Sequence, residues 1–264
     1  MSPSTKRAPA SLSKSPSSPK VDVESVLAWL KRTGTKSGRD SMARYAIPSE
    51  NAFGVSVGAL KQHAKRIGPN HELAVRLWET GWYEARMLAS FIDEPERVTA
   101  LQMERWCRDF DNWAIVDTVC FALFDRSPHA WSKVEPWAAR TDEFQKRAAF
   151  ALIWSLSVHD KKASDKQFEK ALVLIERAAT DERNFVKKAV NMALRAVGKR
   201  NAALNDAAVK LARRLVRSPD ATARWVGRDA RRELESASVK RRSAARSRTA
   251  AQPRSAARTR SAAK

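Results

Sequence analysis

The sequence predicts an all-α fold, a superhelix of HEAT-like helical repeats, on three observations. Ala, Leu, Arg, Lys and Glu dominate the 264 residues, while only 8 are Gly, a composition that favours helix. Apolar residues recur at helical rather than alternating spacing through most of the chain. A pattern of an aromatic residue followed three positions later by a cation also returns at a steady interval. FQKRAAFALI, FVKKAVNMAL and WVGRDARREL carry Arg147, Lys188 and Arg228 in that place, 41 and 40 residues apart, and YEARMLASFI with Arg86 is a weaker earlier copy. A period near forty, with two helices per unit, is the signature of stacked HEAT-type pairs, which build a concave inner wall.

Taken in order, residues 1–20 are rich in Ser, Pro and Lys with nothing to bury, and are expected to be disordered. VDVESVLAWLKRTG puts Val23, Val26, Leu27 and Leu30 on one stripe, and GRDSMARYAIP is a short helix closed by Pro48. FGVSVGALKQHAKRIG is a helix capped by Ser56 and stopped by Gly68; HELAVRLWETGW and YEARMLASFIDEP form a hairpin turning at Gly81. ERVTALQMERWCRDF leads into DNWAIVDTVCFALF, which is apolar nearly all round and is expected to be a buried helix. Ser127-Pro128 is expected to cap the helix of HAWSKVEPWAAR, and Asp142 the helix of EFQKRAAFALIWSL. Three more helical segments follow, and after Ser218-Pro219 the last, DATARWVGRDARRELES, ends the domain near Glu235, giving a body of residues 21–235. Trp29, Trp78, Trp106 and Trp154 are expected in the core.

Charge narrows the function. The net charge is +21, which favours a polyanionic partner. Residues 236–264 hold nine Lys and Arg with no acid, and residues 1–20 hold four, so the body carries +8 in its own right. The Arg/Ala/Ser tail is expected to be disordered and to neutralise phosphates without selecting a sequence or lesion. No apolar run approaches a membrane span, and the N-terminus lacks the apolar stretch of a secretory signal. Cys107 and Cys120 are not spaced as a metal motif and are expected to be reduced core thiols of a cytoplasmic protein. The four histidines, His63, His71, His129 and His159, show no ligand spacing, so neither metal nor cofactor is expected.

Within DNWAIVD, Trp113 and Asp117 are four residues apart and share a helix face. A carboxylate in so apolar a run is costly unless it is paired, neutralised or facing a site. Arg147 heads the apolar helix thirty residues on. An aromatic face, a carboxylate and an arginine suit a cationic base on a phosphate backbone. One cation per repeat, from Arg147, Lys188 and Arg228, is expected to line the inner wall with positive charge.

With SMARYAI, FGVSVGALK, DNWAIVD, QKRAAFALI and VKKAVNMALR taken together, the chain resembles the AlkD-type DNA alkylation repair glycosylases from about Met42 to Glu235. The resemblance implies a superhelix that holds duplex DNA in its concave groove and excises N3- or N7-alkylated purines. It implies that Trp113 contacts the lesion nucleotide, that Asp117 is the catalytic carboxylate and that Arg147 supports the DNA backbone, with Tyr45 and Met192 on the DNA-binding face. Where the family often has a second tryptophan, this chain has Met192, which is polarizable but has no aromatic ring.

The chemistry fits those residues. An N3- or N7-alkylated purine is already cationic and a good leaving group, and breaking its glycosidic bond builds positive charge on the sugar. An ionised Asp117 stabilises that charge and orients a water, and the Trp113 ring offers a π-face to either cation, worth about 0.5–2 kcal/mol. No lysine stands out as a Schiff-base nucleophile, so a monofunctional glycosylase without lyase activity is expected, acting as a monomer on double-stranded DNA at the nucleoid. Two other classes compete. A non-catalytic HEAT scaffold for DNA or protein would use Trp113 and Asp117 for packing, with Arg147 itself as the partner of Asp117. A chromatin-like compactor would act through the tail.

Overall fold

The computed structural model describes residues 21–242, and the expectations for residues 1–20 and 243–264 lie outside the described residues. The fold is an all-α superhelix of HEAT-like pairs, as the forty-residue period predicts. Among the described residues the α-helices of the body follow one another as α1 (Val23–Thr33), α2 (Lys36–Met42), α3 (Val57–Ile67), α4 (His71–Glu79), α5 (Tyr83–Ile92), α6 (Ala100–Arg108), α7 (Trp113–Ala122), α8 (Ala130–Ala138), α9 (Glu143–His159), α10 (Asp165–Ala178), α11 (Asn184–Val197), α12 (Ala202–Val216) and α13 (Ala221–Leu234). Short 3₁₀ turns at Ala43–Tyr45, Pro95–Arg97 and Phe124–Arg126 sit between them.

The helices form two layers. In the first, α3, α5, α7, α9, α11 and α13 each pack on the next. In the second, α8, α10 and α12 pack in the same succession, while α4, α8, α10 and α12 each cover the neighbouring helix of the first layer. One continuous apolar core runs between the layers from Val26 to Val239. Gly227 sets how closely α13 approaches α12, because a β-carbon there would lie 2.7 Å from the Ala212 carbonyl oxygen and from the Val216 nitrogen.

Most helix starts follow from their sequence. Ser56, Asn70, Thr99, Asn112, Asp142, Asn201 and Asp220 each accept a backbone N–H of the first turn, a contact worth about 1 kcal/mol. The start of α8 differs from expectation. Its cap is His129, and the Ser127 hydroxyl instead donates to the Val98 carbonyl and accepts the His129 N–H. Ser127 is thereby spent on bridging two loops. The folded part also passes Glu235: residues 237–242 are helical, and Val239 is buried in the core. That one apolar side chain in a basic stretch holds the segment down.

Two buried carboxylates, Glu84 and Asp93, brace the N-terminal half. Glu84 on α5 is fully buried and accepts the N–H groups of Phe53, Gly54 and Val55 at 2.8, 2.6 and 3.1 Å. It pins the segment between α2 and α3, including Gly54 at φ +82°. Asp93 accepts from Gln102 at 2.7 Å and pairs with His71 at 2.6 Å. Trp78 and Trp106 are core as expected, stacked at 4.0 Å. Trp29 is half-buried on His63 at 3.8 Å, and Trp154 is also half-buried, facing a cleft.

Candidate active site

Asn112 caps α7, so Trp113 begins the helix and Asp117 follows one turn later on the same side. The helix is not buried all round. Ile115, Val116, Val119 and Cys120 enter the core, while Asp117, Thr118, Phe121 and Ala122 line an open cleft of about 1150 Å³. An apolar sequence hid that division, because Phe121 and Ala122 read as core and face the cleft.

Arg147, in the second turn of α9, is 3% exposed. Its Nε donates to Asp117 Oδ1 at 3.0 Å and its Nη2 to Oδ2 at 2.7 Å, a two-pronged pair. Its Nη1 donates to the Phe185 carbonyl at 2.7 Å, at the start of α11. The guanidinium therefore joins three successive inner helices. Its carbon lies 6.0 Å from the centre of the Trp113 ring, within cation–π range. The Trp113 indole N–H donates to the Tyr45 carbonyl at 2.7 Å, and the Tyr45 side chain is exposed. Ala46, the next residue, takes a left-handed conformation at φ +52°, unusual without glycine.

Burial pushes the Asp117 carboxyl up from its ordinary range, against the charge and hydrogen bonds of Arg147, which pull it down. Asp117 keeps 17% side-chain exposure against 4% for Arg147. The carboxylate is thus held from behind and presented to the cleft in front.

Of the sequence-predicted residues, Tyr45, Trp113, Asp117 and Arg147 come together. Lys188 and Arg228 stand exposed on α11 and α13, and Met192 is half-buried on α11. The repeat cations are therefore not equivalent: Arg147 is consumed in a buried pair, while Lys188 and Arg228 form no ion pair with a described residue. The cleft also recruits residues that the repeat pattern did not single out. Lys61 and Lys65 reach it from α3, Phe91 from α5 and Trp154 and His159 from α9, with Arg126 on the turn after α7. Phe121 and Trp154 meet edge to face at 4.6 Å, and Lys61 lies 5.6 Å from the Phe91 ring. Their signal in the sequence was faint: Lys61 and Lys65 are one helical turn apart, as are Asp117 and Phe121.

Both cysteines are buried thiols, and burial pushes Cys107 up to about 12. Among the described residues no cluster of His, Cys, Asp and Glu is arranged to hold a metal ion, and no helix is long and apolar enough to cross a membrane.

No curated protein matches the chain significantly. A solved structure described as "a new family of proteins related to the HEAT-like repeat DNA glycosylases with affinity for branched DNA structures" is similar to it. The TM-score is 0.66 at 26% sequence identity, over 73% of this chain and 83% of that one. A family model described as DNA alkylation repair enzyme matches residues 26–234, nearly the whole two-layered body. The chain belongs to the DNA alkylation repair enzyme family.

Proposed function

We propose that the protein is a monofunctional DNA glycosylase that holds duplex DNA against its inner layer and hydrolyses the glycosidic bond of N3- or N7-alkylated purines. The observation that carries this reading is the Asp117 carboxylate, gripped from behind by buried Arg147, flanked by Trp113 and open to a cleft with Lys61, Lys65 and Arg126 on its walls. Asp117 lies where an ionised carboxylate can face a developing oxocarbenium ion and a water. Arg147 is a positioning residue, since it is buried with its guanidinium bound to Asp117 and the Phe185 carbonyl. Trp113 presents its ring to the lesion nucleotide, and Lys188 and Arg228 meet phosphates along the wall. Among the described residues Asp117 pairs with Arg147 and with no lysine, which supports hydrolysis without strand cleavage.

A second reading has a specific observation behind it. The Asp117–Arg147 pair would also serve a DNA-binding scaffold as a structural clasp, and Met192 stands where the family often has tryptophan. The solved relative is described by its affinity for branched DNA rather than by base release. Release of 3-methyladenine and 7-methylguanine from methylated duplex separates the two. Wild type releases base and Asp117→Asn loses roughly 10²-fold or more, while binding duplex about equally. Absence of release by the wild type, with duplex binding intact, leaves the scaffold.

A further inference from the structure

Within the groove assigned above to DNA, and resting on that assignment, a second cluster lies beyond Phe121. His159, the last residue of α9, packs its ring against the Phe121 edge at 5.7 Å and 84°. Its Nδ1 is 2.5 Å from Asp125 Oδ2. Asp125 is fully buried at its side chain, whereas His159 is 44% exposed and lines the cleft. The other Asp125 oxygen, Oδ1, is buried with no hydrogen-bond partner. So deep a carboxylate has one polar neighbour to satisfy it, and that neighbour is an imidazole aimed at the cleft. Arg126, the next residue, is exposed on the same cleft wall and makes no ion pair with a described residue.

We propose that His159 and Arg126 form a phosphate-binding site for the DNA backbone, separate from Asp117, in which buried Asp125 orients the imidazole and His159 engages phosphate only when protonated. The geometry assigns the two ring nitrogens distinct tasks. Nδ1 is committed to Asp125, so Nε2 is the atom that meets solvent or ligand. In the cation Nε2–H donates to a phosphate oxygen in a charge-assisted hydrogen bond; in the neutral ring Nε2 has a lone pair and repels it. The C-terminal end of α9 also favours positive charge on its last residue. Asp125 from the turn after α7 meets the imidazole, and Arg126 beside it lines the same cleft; Asp117 lies one turn earlier than Phe121 on α7, and Asp160 and Lys161 follow on the chain. Asp160 is turned to Trp131 and to the backbone of Lys162 and Ala163. Lys61 and Lys65 from α3 line the same cleft and attract a polyanion, while Glu94, which pairs with Arg97, and Glu96 also line it and oppose one. Burial pushes the Asp125 carboxyl up while the His159 hydrogen bond pulls it down, consistent with a carboxylate that depends on this ring for its charge.

The test uses the full chain and a fluorescein-labelled undamaged duplex, with affinity measured from about pH 5.5 to pH 8 at several salt concentrations. Wild-type affinity should fall roughly tenfold as the imidazole loses its proton, the size of effect one charge-assisted hydrogen bond supplies. His159→Gln should remove that fall and lower the salt slope by about one at acid pH while leaving it unchanged at alkaline pH. Because only four histidines are present, the His159 ring signal is separable by NMR, and its titration should move to higher pH when duplex is added. The proposal is overturned if wild type binds duplex without pH dependence, if His159→Gln keeps the wild-type dependence, or if DNA leaves the His159 titration in place. Wild type that binds no duplex at any pH overturns the groove assignment itself, and this site with it.

Discussion

Arg86 on α5 and Arg147 on α9 hold the same repeat position, three residues after an aromatic, and the chain uses them differently. Arg86 donates to the Asp109 carbonyl at 3.1 Å, stacks 5.1 Å from the Trp78 ring centre and lies 4.0 Å from the Asp109 carboxylate. Beside it is a cavity of only about 40 Å³. Arg147 also donates to a backbone carbonyl, that of Phe185, but its other two donors meet Asp117 on the wall of a cleft of about 1150 Å³. The shared element is a guanidinium that ties its helix to a later segment of the stack. What makes one of them a candidate active site is the carboxylate that α7 brings to it on the open side. In the repeat wall a cation is first a stitch and becomes a site only through its partner.

That difference can be broken at the arginines. Removing one member of a buried ion pair strands the other, which costs about 3–5 kcal/mol. Arg147→Ala should fall near the lower figure because Asp117 keeps some solvent contact, and Arg86→Ala should cost only about 1 kcal/mol, since its partner carboxylate is distant and exposed. Urea unfolding of both variants checks the ratio. The double variant Arg147→Ala/Asp117→Ala should recover part of the loss, because no unpaired carboxylate is left. Equal costs at the two positions would erase the distinction.

The next effect is on rate and pH. Burial raises Asp117 and Arg147 only partly offsets it, so the ionised form is lost at a pH above the ordinary carboxylate value of about 3.9. Base release should therefore fall on the acid side earlier than an exposed aspartate would dictate, and hold steady as pH rises past that limb. A single-turnover rate profile, corrected for spontaneous release, checks the sign. A limb at or below the ordinary value would mean that Arg147 outweighs burial.

Asp181 shows what an ion pair does away from the cleft. It receives Arg183 and Lys146 at 2.6 and 2.9 Å, and the Arg183 hydrogen bond above all holds its carboxyl down to about 2. A depressed acid stabilises the fold above its unfolded value of about 3.9 and loses that contribution as pH falls through about 2. Asp181→Asn should cost about 2 kcal/mol at neutral pH, and the gap to wild type should close below about pH 2. A gap that persists in acid would assign the loss to packing instead of charge.

These contrasts also mark what could be read from the sequence. Helix starts were legible where a short polar side chain reaches its own first turn, as at Ser56 and Asp142. Ser127 differs because the Val98 carbonyl, in a loop 29 residues earlier in the chain, takes its hydroxyl. Trp113, Asp117 and Arg147 were legible as a set because they fall on successive inner helices. The cleft was not, since bringing Lys61 on α3 and Phe121 on α7 to one cleft depends on how the layer stacks. Trp154 was misassigned because α9 is apolar without a break from Ala148 to Trp154, so no polar residue there marks the side it opens. Asp125 and His159 are 34 residues apart, and neither carries a motif.

The smallest effect tests the free end of the wall. Lys188 and Arg228 occupy the same repeat place as Arg86 and Arg147 but stand exposed without an ion pair to a described residue, so their charges remain available to phosphate. Counterion release makes the salt slope of duplex binding count the phosphates neutralised, at about 0.9 per contact. Lys188→Gln and Arg228→Gln should each lower the slope by about that amount and weaken binding evenly across sequences and lesions, because phosphate contacts carry no base information. Arg86→Gln should leave the slope alone, its guanidinium being committed to Trp78 and Asp109. The three variants measured together isolate position in the stack from charge itself, since each removes one positive charge from the same repeat place. If Arg86→Gln lowers the slope as much as Arg228→Gln, net charge alone governs binding, and the assignment of Lys188 and Arg228 to the DNA-facing wall fails.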